Sequence, residues 1–143
     1  MQLKIYGERM IKEVQRDFSL AYPFLKLEFF KNGLIRRERY AVHTRLPENV
    51  KVKEAWFRKK EESVLELNNL MTVLQLENAL MDHYSLSAQV YRRAGNLWLE
   101  TTLTDNWSLK QQNDHGQELT QGKIANHNIN VENDYDLTRD AGD

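Results

Sequence analysis

The chain has no cysteine. That excludes a disulfide framework, a thiolate zinc site and a cysteine nucleophile together, and it suits folding in a reducing compartment. Prolines are few, Pro23 and Pro47 only. The glycines at 7, 33, 95, 116, 122 and 142 never gather into a phosphate-cradling loop, and no G-x-x-x-x-G-K occurs, so ATP or GTP binding has no support. Long apolar runs are missing too: no stretch approaches the roughly 20 residues that span a bilayer. Residues 1–8 carry charges where a signal peptide needs an unbroken apolar run. The expectation is a cytoplasmic protein with no membrane partner.

What is present is enough for one folded domain: 41% of the 143 residues are hydrophobic and 29% are charged, which permits a packed core. The net charge of −1 hides an uneven distribution. Residues 31–60 carry +7, whereas residues 61–112 carry −4 and residues 113–143 carry −5. Half of all lysines and arginines sit in that one window, where an anionic partner would first be attracted.

Periodicity divides the chain into two similar halves. Leu3 and Ile5 alternate with polar neighbours as a short strand does. Ile11, Val14, Phe18 and Ala21 recur at helical spacing within residues 8–22, and Pro23 ends the run. Residues 24–31 follow as an aromatic-rich strand. Asn32-Gly33 is a strong signal for a tight hairpin turn, with a return strand over residues 34–42. Residues 43–60 read as an irregular basic connector.

The pattern then repeats: a strand near Val64 and Leu67, and a helix capped by Thr72 with Gln75 three residues on. Its apolar stripe is Val73, Leu76, Leu80 and Tyr84. A strand over residues 86–93 then turns at Gly95-Asn96 into a strand over residues 97–103. A shift of 62 positions lays Leu3 on Leu65, Ile11 on Val73, Phe18 on Leu80 and Tyr22 on Tyr84. Residues 1–42 and 63–104 are thus expected to be pseudo-repeats within a domain spanning residues 1–120.

A short C-terminal helix is expected after Leu103, capped by Asp105 or Asn106 and closed by Gly116. Residues 121–143, acidic and rich in Asn and Asp, are expected to be a disordered tail. The fold class that follows is α+β: two β-α-β-β units forming a mostly antiparallel sheet with helices on one face. The expected form is a ferredoxin-like sandwich, with a β-grasp-like arrangement as the alternative.

The stretches Val14-Gln15-Arg16-Asp17-Phe18, Leu25-Lys26-Leu27-Glu28-Phe29-Phe30, Gly95-Asn96-Leu97-Trp98-Leu99-Glu100-Thr101-Thr102 and Trp107-Ser108-Leu109-Lys110-Gln111-Gln112-Asn113 resemble a family of small uncharacterised bacterial proteins. The resemblance spans residues 1–113 and implies no activity.

Chemistry-bearing residues are scattered. His43, His83, His115 and His127 lack the spacing of a zinc site. Asp82, His83 and Ser85 have the letters of a triad but, as neighbours at a helix end, cannot align as one. Glu61, Glu62 and Glu66 lie beside Arg58, Lys59 and Lys60, which makes a mixed-charge surface the better reading. No catalytic set, metal or cofactor is implied.

Two surfaces remain. A two-residue loop at Gly95-Asn96 places Tyr91, Arg93, Trp98 and Glu100 on one sheet face, a candidate protein-contact patch. Either another protein, including a second copy of this chain, or the C-terminal helix through Trp107 and Leu109 covers it. The alternative is nucleic acid, met by Arg36, Arg37, Arg39, Lys59 and Lys60 with Tyr40, Trp56 and Phe57 interleaved. The sequence pI of about 6.4 weighs against that alternative.

Overall fold

A computed structural model describes residues 1–31, 45–55 and 62–122. Among these, the chain is α+β, with three α-helices and two antiparallel sheets. β1 (Gln2–Ile5) and β3 (Ser63–Glu66) form one ribbon, with Leu3 opposite Leu65. β2 (Leu25–Phe30), β4 (Ser87–Ala94) and β5 (Leu97–Glu100) form the other, in the order β2-β4-β5. The strands thus divide between two sheets instead of joining in one. The expected Asn32-Gly33 hairpin and the return strand 34–42 lie outside the described residues.

Each helix starts with the same device. α1 (Ile11–Ala21), α2 (Val73–Tyr84) and α3 (Leu109–Gln121) place Glu13, Gln75 and Gln111 so that the side chain accepts from the backbone N–H of Met10, Thr72 and Ser108. Thr72 and Ser108 complete reciprocal capping boxes by accepting from the N–H of Gln75 and Gln111. α3 is therefore capped by Ser108, not by Asp105 or Asn106, and it runs through Gly116 to a left-handed C-cap at Gly122.

The 62-position offset recurs in the element bounds. Ile11 and Val73 open α1 and α2, and Leu25 and Ser87 open β2 and β4, both pairs 62 positions apart. A single core gathers Ile5, Ile11, Val14 and Phe18 from the first half with Leu67, Val73, Leu76 and Leu80 from the second. Residues 45–55 are more than a connector, because Leu46, Val52 and Ala55 are buried in that core. A short 3-10 turn over Val52–Glu54 and a bridge between Met10 and Lys51 hold the segment in place.

α3 packs against β4 and β2 on the core face of the larger sheet. A Cβ at Gly116 would stand 2.9 Å from the Cβ of Phe24 and 3.1 Å from its carbonyl oxygen. A glycine at this mid-helix position is what allows the close approach. Beside it the buried Arg92 donates to Gln112 Oε1 at 2.7 Å and lies 5.8 Å from the Trp107 ring centre. No carboxylate among the described residues pairs with Arg92, and burial pushes its guanidinium pKa down.

Candidate docking edge

The register across β4 and β5 pairs Tyr91 with Glu100, Arg93 with Trp98 and Ala94 with Leu97. Gly95 begins the two-residue loop at φ 67, the sign that a type II′ turn needs at its first central position. Tyr91, Arg93, Trp98 and Glu100 consequently share one face, as their alternation predicts. The other face takes Ala88, Val90 and Arg92 from β4, opposite Phe29, Leu27 and Leu25 of β2. α3 lies on this second face, through Gln112 and Gly116 beside Arg92. The C-terminal helix therefore leaves the Tyr91–Trp98 face uncovered.

That face is dressed by β2. Lys26 lies opposite Tyr91, with its ammonium 4.9 Å from the Trp98 ring centre and 5.9 Å from that of Tyr91. Such placements over aromatic faces are attractive. Glu28 holds Lys26 at 3.1 Å and Arg45 at 3.8 Å. Burial, helped by Glu100, raises the Tyr91 phenol above its ordinary pKa, so it stays neutral near pH 7.

The two edges of this sheet are finished differently. Arg93 N–H donates to Phe24 O, so the odd-numbered residues of β4 bond toward β2. The backbone groups of Leu25, Leu27 and Phe29 therefore point outward from β2, and each carbonyl has a donor. Ser19 Oγ donates to Leu25 O, Gln15 Nε2 to Leu27 O, and the Leu46 N–H to Phe29 O. At the far end of β4, Glu77 accepts from Val90 N–H and Thr101 Oγ1 donates to Val90 O. This side-chain closure ends the ladder, so β5 stops at Glu100 and Thr102–Thr104 turns as a 3-10 helix in place of the expected strand to Leu103.

Among the described residues β5 has no such closure. Leu97 and Leu99 bond inward to Ala94 and Arg92, which turns the N–H and C=O of Trp98 outward. No backbone partner for Trp98 occurs among the described residues. Leu97 is 64% exposed, and Trp98 and Leu99 are 38% exposed each. β5 thus presents apolar side chains on both faces of an open edge, a ready template for another strand.

Beside Trp98 runs a groove of about 630 Å³, bounded by Lys12, Gln15 and Arg16 of α1, by Lys26 and Glu28, and by Arg45. Residue spacing along α1 gave no warning of it, because it forms only when α1 packs against the β2 edge. The side chains of Lys12 and Arg16 have no ion-pair partner among the described residues. By contrast, two cations of the basic window are engaged internally: Lys51 and Lys53 each meet Glu8 at 2.7 Å and pull its carboxyl down to about 2.

Arg36, Arg37, Arg39, Lys59 and Lys60 lie outside the described residues, as do His43 and His127. No group of three or more His, Asp or Glu among the described residues is placed to hold a metal ion. No described helix is long and apolar enough to cross a membrane. No protein family, curated protein or solved structure matches the chain.

Proposed function

We propose that this chain is a non-enzymatic protein-interaction module that takes up a further polypeptide strand along β5. The observation that carries this is the contrast between the edges: β2 is closed by Ser19, Gln15 and Leu46, while β5 is open and apolar on both faces. Strand addition of this kind draws affinity from backbone hydrogen bonds and selectivity from alternate side chains. Trp98 and Arg93, paired across the strands, have the side-chain types that dominate such contacts. The lack of cysteine fits a cytoplasmic setting. The 62-residue offset between α1 and α2 and between β2 and β4 supports an internally duplicated domain.

A selection of random extended peptides displayed on phage tests the reading. Trp98→Thr keeps the outward N–H and reduces side-chain contact, whereas Trp98→Pro removes the N–H from an edge position where proline is tolerated. Peptides selected on the wild type should bind Trp98→Thr more weakly and Trp98→Pro not at all. Undiminished binding to Trp98→Pro overturns the reading.

The nucleic-acid alternative is favoured by one observation, the cations Lys12 and Arg16 across a groove from Trp98, which have no ion-pair partner among the described residues. Anisotropy titrations with single- and double-stranded oligonucleotides at low salt test it. No binding, or binding without a salt slope, removes it.

A further inference from the structure

From the polarity of β5 read in both directions we infer that the strand it accepts is β5 of a second copy of this chain. The inference rests on the reading of β5 as a docking edge and adds the identity of the occupant. The sequence Asn96-Leu97-Trp98-Leu99-Glu100 is a palindrome in polarity: polar, apolar, Trp, apolar, polar. Antiparallel pairing of two copies about a two-fold axis through Trp98 sets Trp98 against Trp98 and Leu97 against Leu99 of the second copy. Asn96 then meets Glu100, a neutral amide donor against a carboxylate. Every apolar residue faces an apolar one and every polar residue a polar one, on both faces, as an isologous interface requires.

Backbone direction admits this register and bars a slip of one residue. Trp98 carries the outward N–H and C=O, so a slip of one residue would pair an outward group with an inward one. A slip of two in one direction would set Trp98 against Glu100 and bring the two Glu100 side chains to diagonal positions roughly 7–8 Å apart, where like charges repel, and in the other would set Trp98 against Asn96, an apolar side chain against a polar one. In the proposed register the same carboxylates stand about 13 Å apart along the strands. The larger sheet would grow from the described β2-β4-β5 to a continuous pair of such sheets, with Lys26 and Arg93 flanking the paired tryptophans from both sides.

The chain's lack of cysteine makes this testable by introduced thiols. Leu97 and Leu99 of the other copy form a non-hydrogen-bonded pair with Cα atoms about 4.5 Å apart, within disulfide reach. Identical positions lie diagonally at roughly 7–8 Å, beyond it. An equimolar mixture of Leu97→Cys and Leu99→Cys, under mild oxidation, should give roughly tenfold more covalent dimer than either variant alone. Both positions are exposed, so neither change touches the core. Light scattering should give twice the chain mass for wild type and the single-chain mass for Trp98→Pro.

A wild type that is single at every reachable concentration, or cross-linking that is equal in the mixture and in the separate variants, overturns the self-pairing. If that monomer still captures extended peptides in a Trp98-dependent way, only the occupant is wrong. If it captures none, the docking edge itself fails.

Discussion

Gly116→Ala sets two opposing effects against each other in one methyl group. Gly116 sits inside α3 with a backbone that an L-residue can adopt, since the left-handed glycine of this helix is Gly122. Helix propensity therefore favours alanine there by about 1 kcal/mol. Against it, the new Cβ would lie 2.9 Å from Phe24 Cβ, 3.1 Å from Arg92 Cγ and 3.1 Å from Phe24 O. Two of those atoms are fixed to the β2 approach and cannot swing away, so α3 must retreat. Retreat stretches the Gln112 bond to Arg92, now 2.7 Å, and the Asn113 bond to the Phe24 N–H, now 2.8 Å. Overpacking of this kind costs about 1–3 kcal/mol, and against backbone-fixed atoms the upper part of that range, about 2–3 kcal/mol, applies, so the net effect is a loss of about 1–2 kcal/mol, or a Tm lower by about 4–8 °C for a domain of this size. Thermal denaturation by circular dichroism measures it. In an isolated peptide of residues 108–122 the same change should raise helicity. A protein Tm that stays level or rises would refute the close-approach explanation. Gly95→Ala is the contrast, since no atom stands within 4 Å and only its φ of 67 resists; it should cost about 1 kcal/mol through the backbone alone.

Glu8 should titrate at about 2 in a carboxyl NMR experiment because Lys51 and Lys53 hold it ionised. Its folded pKa is depressed, so its contribution to stability is present above the unfolded value of 4.5 and fades as pH falls toward 2. Glu8→Gln should flatten that part of the pH–stability curve. Glu77→Ala leaves the buried Val90 N–H without its acceptor and should cost about 1–3 kcal/mol by urea denaturation, with Glu77→Gln milder. The double change Gln15→Ala with Ser19→Ala strips two donors from the β2 edge and should cost about 1–3 kcal/mol, with increased aggregation by light scattering. In amide exchange, Leu99 should be protected and Trp98 fast when the edge is empty, and Trp98 should become slow once a strand is docked.

Local signals were legible in the sequence where they were strong and complete within a few residues. The Thr72–Gln75 capping box and the apolar stripe Val73, Leu76, Leu80 and Tyr84 all appear in α2 as read. The Gly95 turn and the cross-strand pairs at Arg93 and Trp98 also follow from alternation and loop length alone. Non-local closure was not legible. That β5 ends at Glu100 depends on Glu77 and Thr101 reaching Val90, residues 13 and 11 positions from their partner. Gly116 read as a helix stop because glycine usually serves there; its role is set by Phe24, which no local pattern couples to it. The split into two sheets has the same origin, for β1 pairs with β3 across some sixty residues.

The proposed duplication offers an account of why one edge stands open. Positions Gln15 and Glu77, 62 apart, both send a side chain to a strand backbone: Gln15 to Leu27 O on β2, Glu77 to Val90 N–H on β4. A helix residue thus seals the strand that follows its own helix, once in each half. β5 comes after the second sealed strand, and no helix among the described residues seals it on that side. α3, the next helix in the chain, reaches past β5 to Arg92 and Phe24, and meets the turn where Thr120 Oγ1 accepts from Gly95 N–H. An edge strand with Leu97, Trp98 and Leu99 exposed and no built-in seal invites aggregation unless a partner occupies it. Against the β2 edge, whose carbonyls are closed by Ser19, Gln15 and Leu46, the open strand is what the proposed docking of a further strand would complete.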